Sequence, residues 1–267
     1  MTIQKFFKPL KFEEAFEKKV KSGDSAFYIA GGTEINSNDF KEEKKILISL
    51  EKCVSTEIND DTAKNEIVIG ANATSQSLID SEIIPAALKQ AVKHITNRNI
   101  REMATIGGNI AANKSCSNLI PILCALDAEL IVYDKDGEKK ISVFKYISED
   151  KKDLILAVII NKNILNRKYN VLKFSRTSND ISIITAAAGI SRDSGIVTDA
   201  RIFLGGVSKH VIRLDAIEKF LIEKKDSDKN EIENEIKKNI NPISDIRGSS
   251  EFKKHIAAVL ICDCIYK

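Results

Sequence analysis

Ala104-Thr105-Ile106-Gly107-Gly108-Asn109-Ile110-Ala111 sets a glycine pair between a hydroxyl and an amide side chain, with isoleucines on either side. Paired glycines tolerate φ > 0 and carry no Cβ, so a main chain built on them can lie close under a flat ligand. Asn109 offers a donor and an acceptor, and Ile106 and Ile110 offer an apolar wall. A second stretch repeats the theme. Tyr28-Ile29-Ala30-Gly31-Gly32-Thr33-Glu34-Ile35 runs a β-prone segment into two glycines and a threonine. There, successive backbone N–H groups can converge on one anion, such as a diphosphate. Taken singly, either stretch is also a tight turn; two in one chain favour a ligand. Binding a large cofactor must first overcome about 4–15 kcal/mol of lost freedom, while a hydrogen bond to a charged group returns only ~1.5–3 kcal/mol. One loop barely breaks even, and two with apolar stacking suffice. Neither stretch is G-x-G-x-x-G and no G-x-x-x-x-G-K-[ST] occurs, which argues against a Rossmann site and a P-loop.

Outward from these loops, Phe12 to Ser22 reads as a short amphipathic helix, and Ala26–Ala30, Lys45–Leu50 and Glu66–Gly70 as strands. Ile83 to Ile95 reads as a helix with Pro85 near its start. Leu119 to Leu126 is too apolar all round for a surface element, and Ala128–Tyr133 with Lys139–Val143 predicts a hairpin turning at Asp134-Lys135-Asp136-Gly137. After about Lys151 four β-prone runs follow, Leu154–Ile160, Tyr169–Arg176, Ile181–Gly189 and Gly195–Leu204. Helical patterns then cover Arg213–Lys224, Asp228–Lys238 and Ser250–Cys262, with Glu223 to Asn239 a solvated face. Strands and helices in separate blocks predict α+β rather than a doubly wound sheet.

The 267 residues allow two domains. Charged residues make up 30%, the net charge is only +3, and both signs are interleaved, as in Lys41–Lys45 and Asp134–Lys140. No basic stripe points to nucleic acid. No apolar window approaches the roughly 20 residues a membrane span needs, nor does the N-terminus carry a signal-peptide pattern, so a cytoplasmic protein is expected. Cys53, Cys116, Cys124, Cys262 and Cys264 include no CxxC pair, and His94, His210 and His255 are scattered. No metal site is expected from them.

The two stretches AGGTEI and ATIGGNIA resemble the FAD loops of the molybdenum-hydroxylase flavoprotein subunits, the medium subunits of xanthine dehydrogenase and carbon monoxide dehydrogenase. The likeness extends to Asn97-Arg98-Asn99-Ile100-Arg101, to Pro121 through Ala128, to Phe203-Leu204-Gly205-Gly206-Val207 and to Arg247-Gly248-Ser249. It implies a bilobal FAD-binding domain of the vanillyl-alcohol-oxidase (PCMH) type over 1–165, with lobes of about 1–58 and 59–165. An α+β domain like the carbon monoxide dehydrogenase flavoprotein C-terminus would fill 166–267. It further implies non-covalent FAD, an iron–sulfur partner subunit, a molybdopterin-binding partner subunit, and an electron acceptor such as NAD. By the same resemblance Ile29, Ala30, Gly31, Gly32, Thr33, Glu34 and Ile35 line the diphosphate loop, and Thr105, Ile106, Gly107, Gly108 and Asn109 the second loop. Lys173 falls near a lysine that approaches the flavin. The chain departs from the pattern at Glu34, where Asp is common, and at Asn118, where the family shows an Asp after a Ser-Pro stretch. A self-contained FAD-dependent reductase on the same scaffold and a cofactor-free assembly subunit stay open as alternatives.

Overall fold

The computed structural model describes residues 3–37, 46–95, 97–224 and 228–266. The charge run Lys41–Lys45, with the first residue of the strand expected over 45–50, lies outside the described residues, as do 225–227 of the expected polar face. Three successive blocks of chain build one sheet each.

In the first block, β1 (Lys5–Phe7), α1 (Phe12–Ser22), β2 (Ala26–Ile29) and β3 (Ile46–Ser49) form a parallel sheet of order β1-β3-β2. Helix α1 forms because Phe12, Ala15 and Phe16 recur on one face. Ala15 is buried there, and Phe12 and Phe16 meet the Tyr133 ring edge-on, with centroids 5.2 and 5.1 Å away. Acidic Glu13 and Glu14 open the helix and Lys19 and Lys21 close it, complementing its dipole. Gly23, at φ 58°, ends it.

The second block threads β4 (Ile58–Asp61), β5 (Glu66–Gly70), the helices α2 (Ser75–Asp80), α3 (Ala86–Lys93), α4 (Arg98–Met103), α5 (Ile106–Ala112) and α6 (Ile120–Ala125), then β6 (Glu129–Asp134), β7 (Gly137–Ser142), α7 (Val143–Ser148) and β8 (Leu154–Asn161). Its strands pair antiparallel in the order β4-β5-β8-β6-β7. The β6–β7 hairpin turns at Lys135-Asp136, with Gly137 at φ 102° and Asp134 accepting from the Asp136 N–H at 2.8 Å. Every residue of α6 is buried, and each such large apolar side chain contributes about 1.5–3 kcal/mol relative to exposure. The helix is therefore a spine.

The third block is an antiparallel sheet of order β12-β11-β10-β9, made of β9 (Lys168–Phe174), β10 (Ile184–Asp193), β11 (Ile196–Gly205) and β12 (Ile212–Arg213). Helices α8 (Asp215–Glu223), α9 (Lys229–Asn239) and α10 (Ser250–Tyr266) follow. Period-two alternation divides β10 between two cores. Ala187, with Phe203 of β11 and Val171 of β9, joins the cluster that contains α6. Ala186 and Ala188, with Ile202 and Leu204, join the cluster that contains α10. One sheet thus ties the first two blocks to the last helices.

The α+β architecture read from the block pattern is the one that forms. Two details differ. The stretch around Gly107-Gly108, expected as a loop, is the first turn of α5, and Arg98–Met103, to which no element was assigned, is the short helix α4. Among the described residues no helix is long and apolar enough to cross a membrane, and no group of His, Cys, Asp and Glu could hold a metal ion.

Candidate functional site

The first glycine stretch leaves the sheet where β2 ends. Leu50 N–H still donates to Ile29 O at 2.9 Å, and the chain then breaks away through Gly31 and Gly32, the latter at φ 71°. A compact turn follows, with Asn36 N–H on Gly32 O and Ser37 N–H on Glu34 O, both at 3.0 Å. A Cβ on Gly31 would stand 1.6 Å from the Met103 carbonyl oxygen, so the loop rests directly on the chain that leads into α5. None of the five N–H groups from Gly31 to Ile35 has an acceptor among the described residues. A half-buried run of unpaired amides around a positive-φ glycine is the concavity that binds oxyanions.

The second stretch is built in the opposite sense. Thr105 caps α5, its Oγ1 accepting from Gly108 N–H at 3.1 Å. Ile106 N–H donates to Ala73 O (3.0 Å), Gly107 N–H to Ala71 O (2.9 Å) and Asn109 N–H to Thr105 O (3.0 Å). A Cβ on Gly107 would lie 2.7 Å from the Ala71 Cβ and 2.8 Å from its carbonyl oxygen. Gly107 therefore serves the close approach of α5 to the segment after β5, not the approach of main chain to a ligand. All four amides of the turn are engaged within the protein. The Thr105 hydroxyl decides this, because a β-region cap with a side-chain acceptor starts a helix that the glycine pair alone would not. What the turn leaves facing outward is the exposed Gly108 and the half-buried Asn109 side chain.

The segment after α5 joins the two stretches to the rest. Asn113, at φ 45°, ends the helix. Lys114 Nζ pairs with Glu34 Oε1 of the first loop at 2.7 Å. Ser117 Oγ donates to Asn109 Oδ1 at 2.7 Å and accepts from the N–H groups of Leu119 and Ile120, at the start of α6, at 3.2 and 3.1 Å. Asn118 Nδ2 donates to His94 O at 3.2 Å, and Asn118 Oδ1 accepts from Ser182 Oγ at 2.6 Å. Lys173 donates to the same His94 carbonyl at 3.0 Å and to Ser178 O and Asp180 O at 2.8 and 3.3 Å. An ammonium has three donors, and these carbonyls take all of them. Burial holds the Lys173 pKa below the usual lysine value. Burial first, and then the Lys173 charge, hold His94 below the usual imidazole value.

The structure thus brings the turn of residues 29–35 against residues 103–104, next to the 105–109 turn, and links Asn118 to Asn109 through the adjacent Ser117. Asn118 and Lys173 meet each other at His94 O, with the contacts of both given to protein groups. Sequence reasoning missed Ser117, Ser182 and the carbonyls of Met103 and His94. A carbonyl has no sequence signature. Ser117 stood beside Asn118 in a polar run, where a hydroxyl preceding the apolar Leu119–Leu126 stretch signals a helix cap.

Two family patterns cover the chain. Residues 2–162 match the FAD binding domain in molybdopterin dehydrogenase, and residues 168–267 match the CO dehydrogenase flavoprotein C-terminal domain. The uncharacterized protein YgfM of Escherichia coli (strain K12) is 34% identical over 98% of this chain and 95% of its own. The glyceraldehyde dehydrogenase medium chain of Sulfolobus acidocaldarius is 26% identical over 74% of each. In fold, the chain is similar to a subunit of the carbon monoxide dehydrogenase of Hydrogenophaga pseudoflava that lacks the Mo-pyranopterin moiety, with a TM-score of 0.89 at 20% identity over 99% of this chain and 96% of that one.

Proposed function

The chain belongs to the FAD-binding flavoprotein subunits of molybdenum hydroxylases, of the xanthine and carbon monoxide dehydrogenase type, and from that premise we propose that it relays electrons from the iron–sulfur clusters of a partner subunit to an acceptor such as NAD. Its cofactor is FAD, which when bound accepts electrons singly and passes them on in pairs. What supports the reading is a single observation, the five amides of Gly31–Ile35 that have no acceptor among the described residues. They fit a diphosphate, the doubly charged part of a flavin dinucleotide.

On this reading the chain's own residues bind and orient. The amides of residues 31–35 and the Thr33 hydroxyl hold the diphosphate, with Ile29 and Ala30 setting the angle at which the loop leaves β2. Thr105, Ile106, Gly107 and Gly108 fix α5 so that the Asn109 side chain faces the cofactor. Asn118 and Lys173 act one step back, pinning the 175–182 loop of the third block to the end of α3 through His94 O. The groups that converge here are amides, hydroxyls, carbonyls, the Lys114–Glu34 ion pair and the Lys173 ammonium, which suits a protein that positions a cofactor and leaves the chemistry to it. Residues 1–165 act as the cofactor-holding unit in two lobes, about 1–58 and 59–165. Residues 166–267 close over it and, with it, meet the iron–sulfur and molybdopterin-binding subunits.

The native complex, purified with its subunits identified, tests this. We expect the two visible absorption bands of a flavin together with iron–sulfur absorbance and molybdenum, and bleaching of the flavin when NADH is added anaerobically. A colourless chain that takes up no added FAD would end the proposal.

A further inference from the structure

The orientation of one side-chain amide is forced by the protein, and it decides which kind of atom the site can recognise. Asn109 is half-buried beside the exposed Gly108, and its carboxamide could in principle present either oxygen or NH2 outward. Ser117 removes the choice. A serine hydroxyl has two acceptor lone pairs and one hydrogen to donate. Both lone pairs of the buried Ser117 are taken, by Leu119 N–H at 3.2 Å and Ile120 N–H at 3.1 Å. Its hydrogen is then all it can offer Asn109, 2.7 Å away, so Asn109 must turn its oxygen inward. A reversed amide would set NH2 against a hydroxyl with no lone pair free. The Asn109 NH2 is left outward and has no acceptor among the described residues.

We propose that Ser117 is a positioning residue that locks Asn109 as a hydrogen-bond donor to the bound FAD, so that the α5 side of the site reads an acceptor atom, a phosphate or carbonyl oxygen or a ring nitrogen. The inference rests on the FAD reading and deepens it. The first loop contributes main-chain donors, and α5, whose main-chain amides are all engaged, contributes a side-chain donor instead. Ser117 draws its rigidity from α6, the buried spine of the second block, whose first amides it caps.

The test is FAD affinity of the full-length chain, read by quenching of flavin fluorescence, alongside thermal melts without FAD. Asn109→Asp keeps an acceptor for Ser117 but presents a second oxygen outward. It should weaken FAD by about a hundredfold while leaving the melt of the FAD-free chain near wild type, the cost of an unmet and repelled acceptor. Ser117→Ala frees the amide to rotate and should weaken FAD by about tenfold, with Ser117→Thr, which keeps the hydroxyl, close to wild type. Because Ser117 acts through Asn109, the double variant should bind no worse than Asn109→Asp alone. Asn109→Asp binding as tightly as wild type, additive losses in the double variant, or a threonine variant as weak as the alanine one would overturn the proposal. Wild-type protein that takes up no FAD would instead overturn the FAD reading beneath it.

Discussion

Gly31-Gly32 followed by Thr33 and Gly107-Gly108 preceded by Thr105 are near-anagrams, and the molecule uses them in opposite ways. In both, the first glycine exists for chain-to-chain contact, Gly31 against the Met103 carbonyl and Gly107 against Ala71. Past that point they part. Gly32 adopts φ 71° and the amides around it have no acceptor among the described residues, whereas Gly108 is helical and every amide of its turn has an acceptor. The difference is the place of the threonine. Thr105 stands before the pair and caps a helix; Thr33 stands after it and caps no helix among the described residues. A glycine pair therefore says that backbones come close, and the flanking hydroxyl says whether amides remain for a ligand.

The largest expected effect comes from Gly31→Ala. Its methyl would collide with a backbone carbonyl, which has no rotamer to escape into. Overpacking of this kind costs ~3 kcal/mol, a fall of roughly 6–12 °C in Tm for a chain this long, and FAD should be lost with the displaced loop. Melting the FAD-free variant separates the two readings of this glycine. An unchanged Tm with FAD lost would mean that Gly31 makes room for ligand rather than for Met103.

Gly107→Ala and Gly108→Ala form a smaller, paired test. At Gly107 the new methyl meets Ala71, Cβ to Cβ at 2.7 Å, and the helix gains only ~1 kcal/mol of propensity against that clash, for a net loss of about 1–2 kcal/mol. At Gly108 the methyl meets only the Thr105 hydroxyl, at 2.8 Å, a side-chain atom that must give by a few tenths of an ångström while the helix gains ~1 kcal/mol of propensity, so the FAD-free chain should melt near the wild-type temperature. FAD affinity should nevertheless fall in Gly108→Ala, because the methyl stands on the outward face beside Asn109. If both variants lose stability equally, the division of tasks between the two glycines is wrong.

How much of this the sequence carried depends on what each residue answers to. Phe12–Ser22, the Asp134–Gly137 turn and the buried Leu119–Leu126 stretch were legible because periodicity and turn chemistry are local. Helix α5 was not, because glycine's poor helix propensity is overridden by a cap and by acceptors at Ala71 and Ala73, more than thirty residues earlier. The site was legible in its residue types and opaque in its roles. Asn118 looked like a lost charge, yet it donates to His94 O, which a carboxylate cannot do. Lys173 falls near a lysine that approaches the flavin, and no sequence pattern showed the three carbonyls that surround its ammonium. Such partners are backbone atoms set by tertiary structure, and no side-chain alphabet records them.

The smallest expected effect touches only the α5 side of the comparison. Asn118 and Lys173 both hang on the residue that carries the His94 imidazole, whose pKa is lowered by burial and then by Lys173. The folded state therefore binds the His94 proton less readily than the unfolded chain, where the value is about 6.5. Stability is at its full value above that pH and declines as pH falls from there through the lower, folded value. His94→Gln should flatten that decline in Tm measured from neutral to mildly acidic buffer, without changing Tm above neutrality by more than a few degrees. The first loop has no histidine within it, so its hold on the diphosphate gains no acid sensitivity of this kind. Wild type and His94→Gln losing stability in parallel as pH drops would show that the imidazole is not the group that couples this region to protons.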